Sequence, residues 1–124
     1  MPLFKILLID ANPSFRTTFS SLLRRSGYQV AVADSLPSGL EQFDREETDL
    51  VLLGIDIAET ASTDLSQSFA NCTTILLLSG AEGRSDASPQ KGRIKNHLVF
   101  YKPFRTEEVL AAIYAALIAR TASV

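Results

Sequence analysis

Cysteine occurs once in this chain, histidine once and tryptophan not at all, and each scarcity closes off a class of chemistry. A lone Cys72 forms no intrachain disulfide, so a disulfide-stapled secreted scaffold is excluded and a reducing compartment is the default. With Cys72 and His97 as the sole residues of their types, neither a zinc-ligand cluster nor a His-based catalytic triad is built on them. No apolar run approaches the ~18 residues that a membrane span needs. The apolar opening stretch is interrupted by Lys5 and stopped by Asp10, which does not fit an export signal. The protein is therefore expected in the cytoplasm, with no membrane partner. Neither sign of charge dominates: 12 Lys and Arg face 14 Asp and Glu, for a net charge of −2. That balance lacks the basic excess of a nucleic-acid binder. No G-x-G-x-x-G or P-loop motif follows any apolar run.

The composition that remains, 46% hydrophobic and 21% charged over 124 residues, is that of one globular domain spanning 1–124. Short apolar runs alternate with helical patterns, the signature of a parallel sheet covered on both faces. Strands are predicted at Lys5–Ile9, Gln29–Ala33, Asp49–Leu53, Thr73–Leu78 and Leu98–Tyr101. Asn12-Pro13-Ser14 turns the chain into a helix whose Phe15, Phe19, Leu22 and Leu23 share one face, and Gly27 ends it. Asp34 or Ser35 caps a second helix with Leu36, Leu40 and Phe43 inward. Thr106 is the expected N-cap of the last helix, with Glu107 and Glu108 in its first turn. Residues 58–71 hold only Leu65 and Phe69 as large apolar anchors, so a helix there is short. Residues 80–97 carry three glycines and Pro89, and a loop with at most a turn or two of helix is expected.

In an open α/β sheet, function sits at the carboxyl ends of the strands. The first, third, fourth and fifth strands end at Asp10, at Gly54 to Asp56, at Ser79 and at Lys102. These ends and the runs behind them, Lys5-Ile6-Leu7-Leu8-Ile9-Asp10, Asp49-Leu50-Val51-Leu52-Leu53, Ile75-Leu76-Leu77-Leu78-Ser79 and Tyr101-Lys102-Pro103-Phe104, carry a resemblance. Over essentially its whole length the chain resembles the receiver domain of bacterial two-component response regulators. The resemblance implies an α/β, flavodoxin-like, doubly wound five-stranded parallel sheet of order 2-1-3-4-5. About five helices would cover it, the fourth degenerate or missing.

The family's chemistry is phosphoryl transfer from a histidine kinase to an aspartate at the end of the third strand. Acids after the first strand help to bind Mg²⁺, a Ser or Thr after the fourth meets the phosphoryl group, and a Lys after the fifth pairs with it. Metal and ammonium are needed because three phosphoryl oxygens carry charge. Asp10 matches the first acid, but Ala11 stands where the second belongs, and Gly54 stands at the phosphoacceptor position. Ser79 and Lys102 match their roles, so that Asp10, Ser79 and Lys102 form a residual phosphate pocket. Val99 replaces the family's switch aromatic. Glycine has no carboxylate to acylate, and Asp10 alone is a poor ligand set for a hard cation that takes several oxygens. No metal or other cofactor is expected, Mg²⁺ binding is expected to be weak or absent, and no residue is assigned a catalytic role. The chain is expected not to be an enzyme. Asp56 is the substitute acceptor to weigh. It lies two residues on, about 6–7 Å at ~3.3 Å per residue, a large displacement where a 1 Å error can cost ~100-fold.

Without a phosphoryl group, Lys102 is expected to pair with Asp10 or Asp56. The last helix, Val109 to Ala119, is apolar on every face, whereas a helix covering a sheet needs one apolar stripe. Leu110, Tyr114 and Leu117 or Ile118 are therefore expected at an interface. It would serve a protein partner or a homodimer through the last strand and helix, with a histidine kinase or an effector among the candidates. The expectation is a pseudo-receiver that signals by protein contact. Its alternatives are a phosphorylatable receiver using Asp56 or another side chain, and a flavodoxin-like binder of a small ligand, an anion beside Lys102 and Ser79.

Overall fold

Consecutive Ile, Leu and Val without polar alternation must be covered on both faces of a sheet. The computed structural model, which describes residues 4–56, 69, 72–79, 91–94 and 97–122, covers them so. In chain order the elements are β1 (Lys5–Ile9), α1 (Pro13–Arg25), β2 (Gln29–Ala33), α2 (Leu36–Arg45), β3 (Leu50–Asp56), β4 (Thr73–Ser79), β5 (Lys91–Ile94), β6 (His97–Tyr101) and α3 (Thr106–Ala122). They form one sheet of order β2-β1-β3-β4-β6-β5. Its first five members are parallel, which is the expected 2-1-3-4-5 order of a flavodoxin-like doubly wound sheet. The further helix expectations fall on residues 58–68 and 80–90, outside the described residues, as does Leu65.

The capping chemistry anticipated in the sequence is present. The Asn12 side chain accepts from the Phe15 N–H at 3.1 Å with Pro13 following it, and Ser35 Oγ accepts from the Ser38 N–H at 3.3 Å. Gly27, with φ +100°, ends α1 in a conformation that L side chains avoid. At α3 the cap is one residue earlier than expected. The Arg105 carbonyl accepts from the Val109 N–H at 3.3 Å, and Thr106 is already helical.

Strand alternation divides the core. On one face Ile6, Leu8, Leu50, Leu52, Ile75, Leu77 and Phe100 pack under Phe19 and Leu23 of α1 and Val109, Ile113 and Leu117 of α3. On the other, Leu7, Ile9, Val51, Leu53, Leu76, Leu78 and Val99 pack under Leu36, Leu40 and Phe43 of α2. Phe69 joins this second face, edge-on to Phe43 with ring centroids 5.2 Å apart.

Three further features depart from the sequence expectations. Lys91–Ile94 is a strand, antiparallel to β6 with Ile94 opposite His97, where a loop was expected. Its Lys-Gly-Arg-Ile sequence lacks a strand's apolar run, but an edge strand needs little apolar surface, and charged residues suit an edge. β3 runs on through Gly54, Ile55 and Asp56, because β4 continues the ladder opposite Leu77, Leu78 and Ser79. Leu117 is in the core at 2% exposure, four residues on from Ile113 and eight from Val109, and so is not at the surface assigned to it. Leu110 is half-buried against the same core, leaving Tyr114 and Ile118 as the large apolar side chains α3 exposes.

Candidate functional site

The alternation that builds the α1/α3 face also builds the site. Counting on by two from Leu8, Leu52, Leu77 and Phe100 reaches Asp10, Gly54, Ser79 and Lys102, which therefore share that face at the carboxyl ends of adjacent strands. Asp10 and Lys102 lie just past β1 and β6, and backbone bonds extend the ladder to hold them. The Asp10 N–H donates to Ala33 O at 3.1 Å, and the Lys102 N–H donates to Leu78 O at 2.8 Å.

Asp10 is the hub. Its carboxylate, 6% exposed, accepts from the Asn12 N–H through Oδ1 at 2.9 Å and meets Lys102 Nζ through Oδ2 at 2.6 Å. Its carbonyl accepts from Arg16 Nη1 at 2.7 Å, tying α1 to the end of β1. Of the two partners expected for Lys102, the structure selects Asp10. The ion pair bridges strand ends separated in the sheet by β3 and β4, and it passes over Gly54. A Cβ placed on Gly54 would lie 2.1 Å from Asp10 Oδ2, 2.8 Å from its Cγ and 3.0 Å from Ile9 O. The Asp10 carboxylate therefore occupies space that any other residue at 54 would claim.

Asp56 lies on the same face as Gly54, two residues further along β3 and opposite Ser79. It is half-buried, and its Cα is about 6–7 Å beyond that of Gly54 at ~3.3 Å per residue. Ser79 Oγ donates to Ile55 O at 3.5 Å, a long bond that barely constrains the hydroxyl. Val99 is fully buried on the α2 face.

Sequence reasoning did not single out an aromatic cluster beside the ion pair. Phe15 stacks on Phe19 with centroids 5.1 Å apart, and Phe104 meets the two edge-on at 6.1 and 5.9 Å. Lys102 Nζ sits 3.9 Å from the centroid of Phe15, a cation–π contact that joins the cluster to the ion pair. Next to them a cleft of about 460 Å³ opens between α1 and the β6–α3 loop, lined also by Ser79 and Thr106. Phe15 and Phe19 were legible as a helix face; that Phe104 returns to them is a tertiary fact. Arg16 carried no signal beyond its charge.

The residues present do not fit Mg²⁺ as the related chemistry uses it. Ala11 and Gly54 contribute no side-chain oxygen, and both oxygens of Asp10 are engaged by donors. Among the described residues no group of three or more His, Cys, Asp or Glu is placed to hold a metal ion. None of the described helices is long and apolar enough to cross a membrane.

Comparison with known proteins agrees with this fold. The model of the response regulator receiver domain matches residues 6–114. The sensory transduction protein RegX3 of Mycobacterium tuberculosis is 24% identical over 113 residues, 90% of this chain and 50% of that protein. The chain thus spans about half the length of the curated relatives it matches. Among solved structures, a CheY-like response regulator receiver domain protein of Methanospirillum hungatei superposes with a TM-score of 0.72 at 16% identity, covering 99% of this chain and 100% of its own. A response regulator receiver modulated diguanylate cyclase of Pelobacter carbinolicus does so with a TM-score of 0.71 at 28% identity, covering 98% and 97%. The fold, the order of strand ends and a family match over most of the chain lead to one conclusion: this chain belongs to the response regulator receiver domain family.

Proposed function

We propose that this receiver domain signals without aspartyl phosphorylation and without Mg²⁺, by contact with protein partners, and that it catalyses no reaction. One observation carries the reading: Gly54 stands at the phosphoacceptor position, and the Asp10 carboxylate, paired with Lys102, fills the space above it. In the family's chemistry Lys102 would answer the charge of a phosphoryl group; here its ammonium meets the Asp10 carboxylate. The pair links the ends of β1 and β6, and through Phe15 it also anchors α1. The domain thereby holds one arrangement at its signalling end without a modification.

A histidine kinase or an effector is the class of partner that fits a receiver fold. Tyr114 at 62% exposure and Ile118 at 45% offer the last helix as a contact for such a partner or for a second copy. Light scattering across a concentration series tests the homodimer version, which a strict monomer at high concentration would remove.

Phosphorylation is tested directly. Incubation with acetyl phosphate and Mg²⁺, followed by intact-mass measurement, is expected to leave the mass unchanged. Asp56 is the acceptor to watch, because β3 carries it onto the same face as Gly54. An Mg²⁺-dependent phosphoryl adduct on Asp56 or any other side chain would overturn the reading.

A further inference from the structure

The cleft between α1 and the β6–α3 loop has chemistry that the ion pair does not use. Its walls are the rings of Phe15, Phe19 and Phe104, and its polar lining consists of the Lys102 ammonium, the Ser79 hydroxyl and two threonine hydroxyls. Among the described residues no carboxylate lines it. At about 460 Å³ it falls in the range of small-molecule sites, which are typically apolar with a few convergent polar groups. We infer that this cleft binds an aromatic carboxylate, with the ring against the phenylalanines and the carboxylate on Lys102 and Ser79.

The donors of the cleft select the occupant. Among the described lining residues the one charged group is the Lys102 ammonium, which Asp10 also contacts, and the remaining polar groups are hydroxyls that donate readily to an anion. An ammonium has three donors. Asp10 Oδ2 takes one at 2.6 Å, and the face of Phe15, 3.9 Å away, engages the ammonium without supplying a lone pair. A donor therefore remains for a second carboxylate. The Ser79 hydroxyl, held only by its 3.5 Å bond to Ile55 O, is free to turn toward that carboxylate. The ring requirement follows from the walls: the phenylalanines already meet edge-on at 5.9 and 6.1 Å, the geometry in which a further ring adds favourable contacts. Inorganic phosphate satisfies the cation but leaves the walls bare, and toluene does the reverse.

This site goes beyond the proposed mode of signalling, and the two fail separately. A phosphoryl adduct would end the earlier reading and leave ring binding intact, whereas a flat titration here says nothing about phosphorylation. The test titrates the full chain with benzoate, 1-naphthoate, acetate, toluene and inorganic phosphate, following NMR shifts of the backbone and aromatic signals. Benzoate is expected to saturate in the millimolar range and 1-naphthoate several-fold below it. Shifts should centre on Phe15, Ser79, Phe104 and Thr106, with acetate, toluene and phosphate at least ten-fold weaker. Ser79→Ala should weaken naphthoate several-fold and Lys102→Met ten-fold or more. If Lys102→Met unfolds the chain, Ser79→Ala and Phe15→Leu carry the decision. Binding of phosphate as tight as that of benzoate, equal binding of toluene, or shifts centred elsewhere would each overturn the proposal.

Discussion

Adjacent residues at the end of β1 fill space at two glycines, one on each face of the sheet. Ile9 points toward α2, where a Cβ on Gly39 would lie 2.3 Å from its Cδ1; Asp10 points the other way, where a Cβ on Gly54 would lie 2.1 Å from its Oδ2. The distances nearly coincide, but the consequences differ. Ile9 is one apolar side chain among many on the α2 face, and its terminal methyl can rotate at modest cost. Asp10 is fixed by Lys102 and by the Asn12 N–H, so displacing its side chain, only 6% exposed, breaks bonds to a charged group. One glycine makes room for packing; the other makes room for a charged pair at the carboxyl ends of the strands.

The sharpest way to break that contrast is to remove the cation. Lys102→Met leaves Asp10 buried with an uncompensated charge and should cost on the order of 3 kcal/mol in urea denaturation. Adding Asp10→Asn should recover roughly half of it, since the two sites are directly coupled. A loss within about 0.5 kcal/mol for the single variant would mean that the pair contributes little.

Substituting the glycines themselves separates packing from charge. Gly54→Ala should cost about 2 kcal/mol, because the new methyl drives the carboxylate off Lys102. In an Asp10→Ala background the same change should cost clearly less, about 1 kcal/mol, left by the 3.0 Å approach to Ile9 O. Gly39→Ala should cost less than Gly54→Ala, about 1 kcal/mol. It overpacks Ile9 but gains ~1 kcal/mol of helix propensity within α2. If both variants lose the same amount, and Asp10→Ala does not rescue the first, the distinction between the two glycines fails.

The smallest effect lies away from the site and concerns pH. Burial, and secondarily the charge of Tyr114, raise the Tyr28 phenol above its ordinary value of 10.0. The unfolded chain therefore releases this proton before the folded one does. The associated stability is complete below pH 10 and is lost as pH rises through the raised folded value. The stability difference between the natural chain and Tyr28→Phe should fall between pH 9 and 11. A difference that stays level across that range would remove Tyr28 as the cause.

Much of this molecule was legible one residue at a time. The unbroken apolar runs of Ile6 to Ile9, Val51 to Leu53 and Ile75 to Leu78 fixed the buried parallel strands, because such runs have no solvated face. Asn12 and Ser35 marked helix starts because their side chains satisfy N–H groups that a helix leaves open. Gly54, Asp10, Ser79 and Lys102 could be named from strand ends, and the resemblance to receiver domains supplied the roles against which they were compared. Less legible was whatever depends on a partner distant in sequence. The Lys91–Ile94 strand exists because β6 offers it an unpaired edge, and its own four residues carry no strand pattern. Leu117 and Ile118 are adjacent and both apolar, and only the rotation of α3 on the sheet decides which is buried.

The sequence by itself determined a parallel sheet covered on both faces and the absence of a side-chain carboxylate at position 54, since periodicity and functional groups are local properties of the chain. Tertiary structure alone decided that Lys102 takes Asp10 as its partner, that the pair closes over Gly54 and that Phe104 completes an aromatic cleft with α1. Those outcomes rest on distances between residues up to 92 positions apart, such as Asp10 and Lys102, and such distances exist only once the sheet has brought the strand ends together.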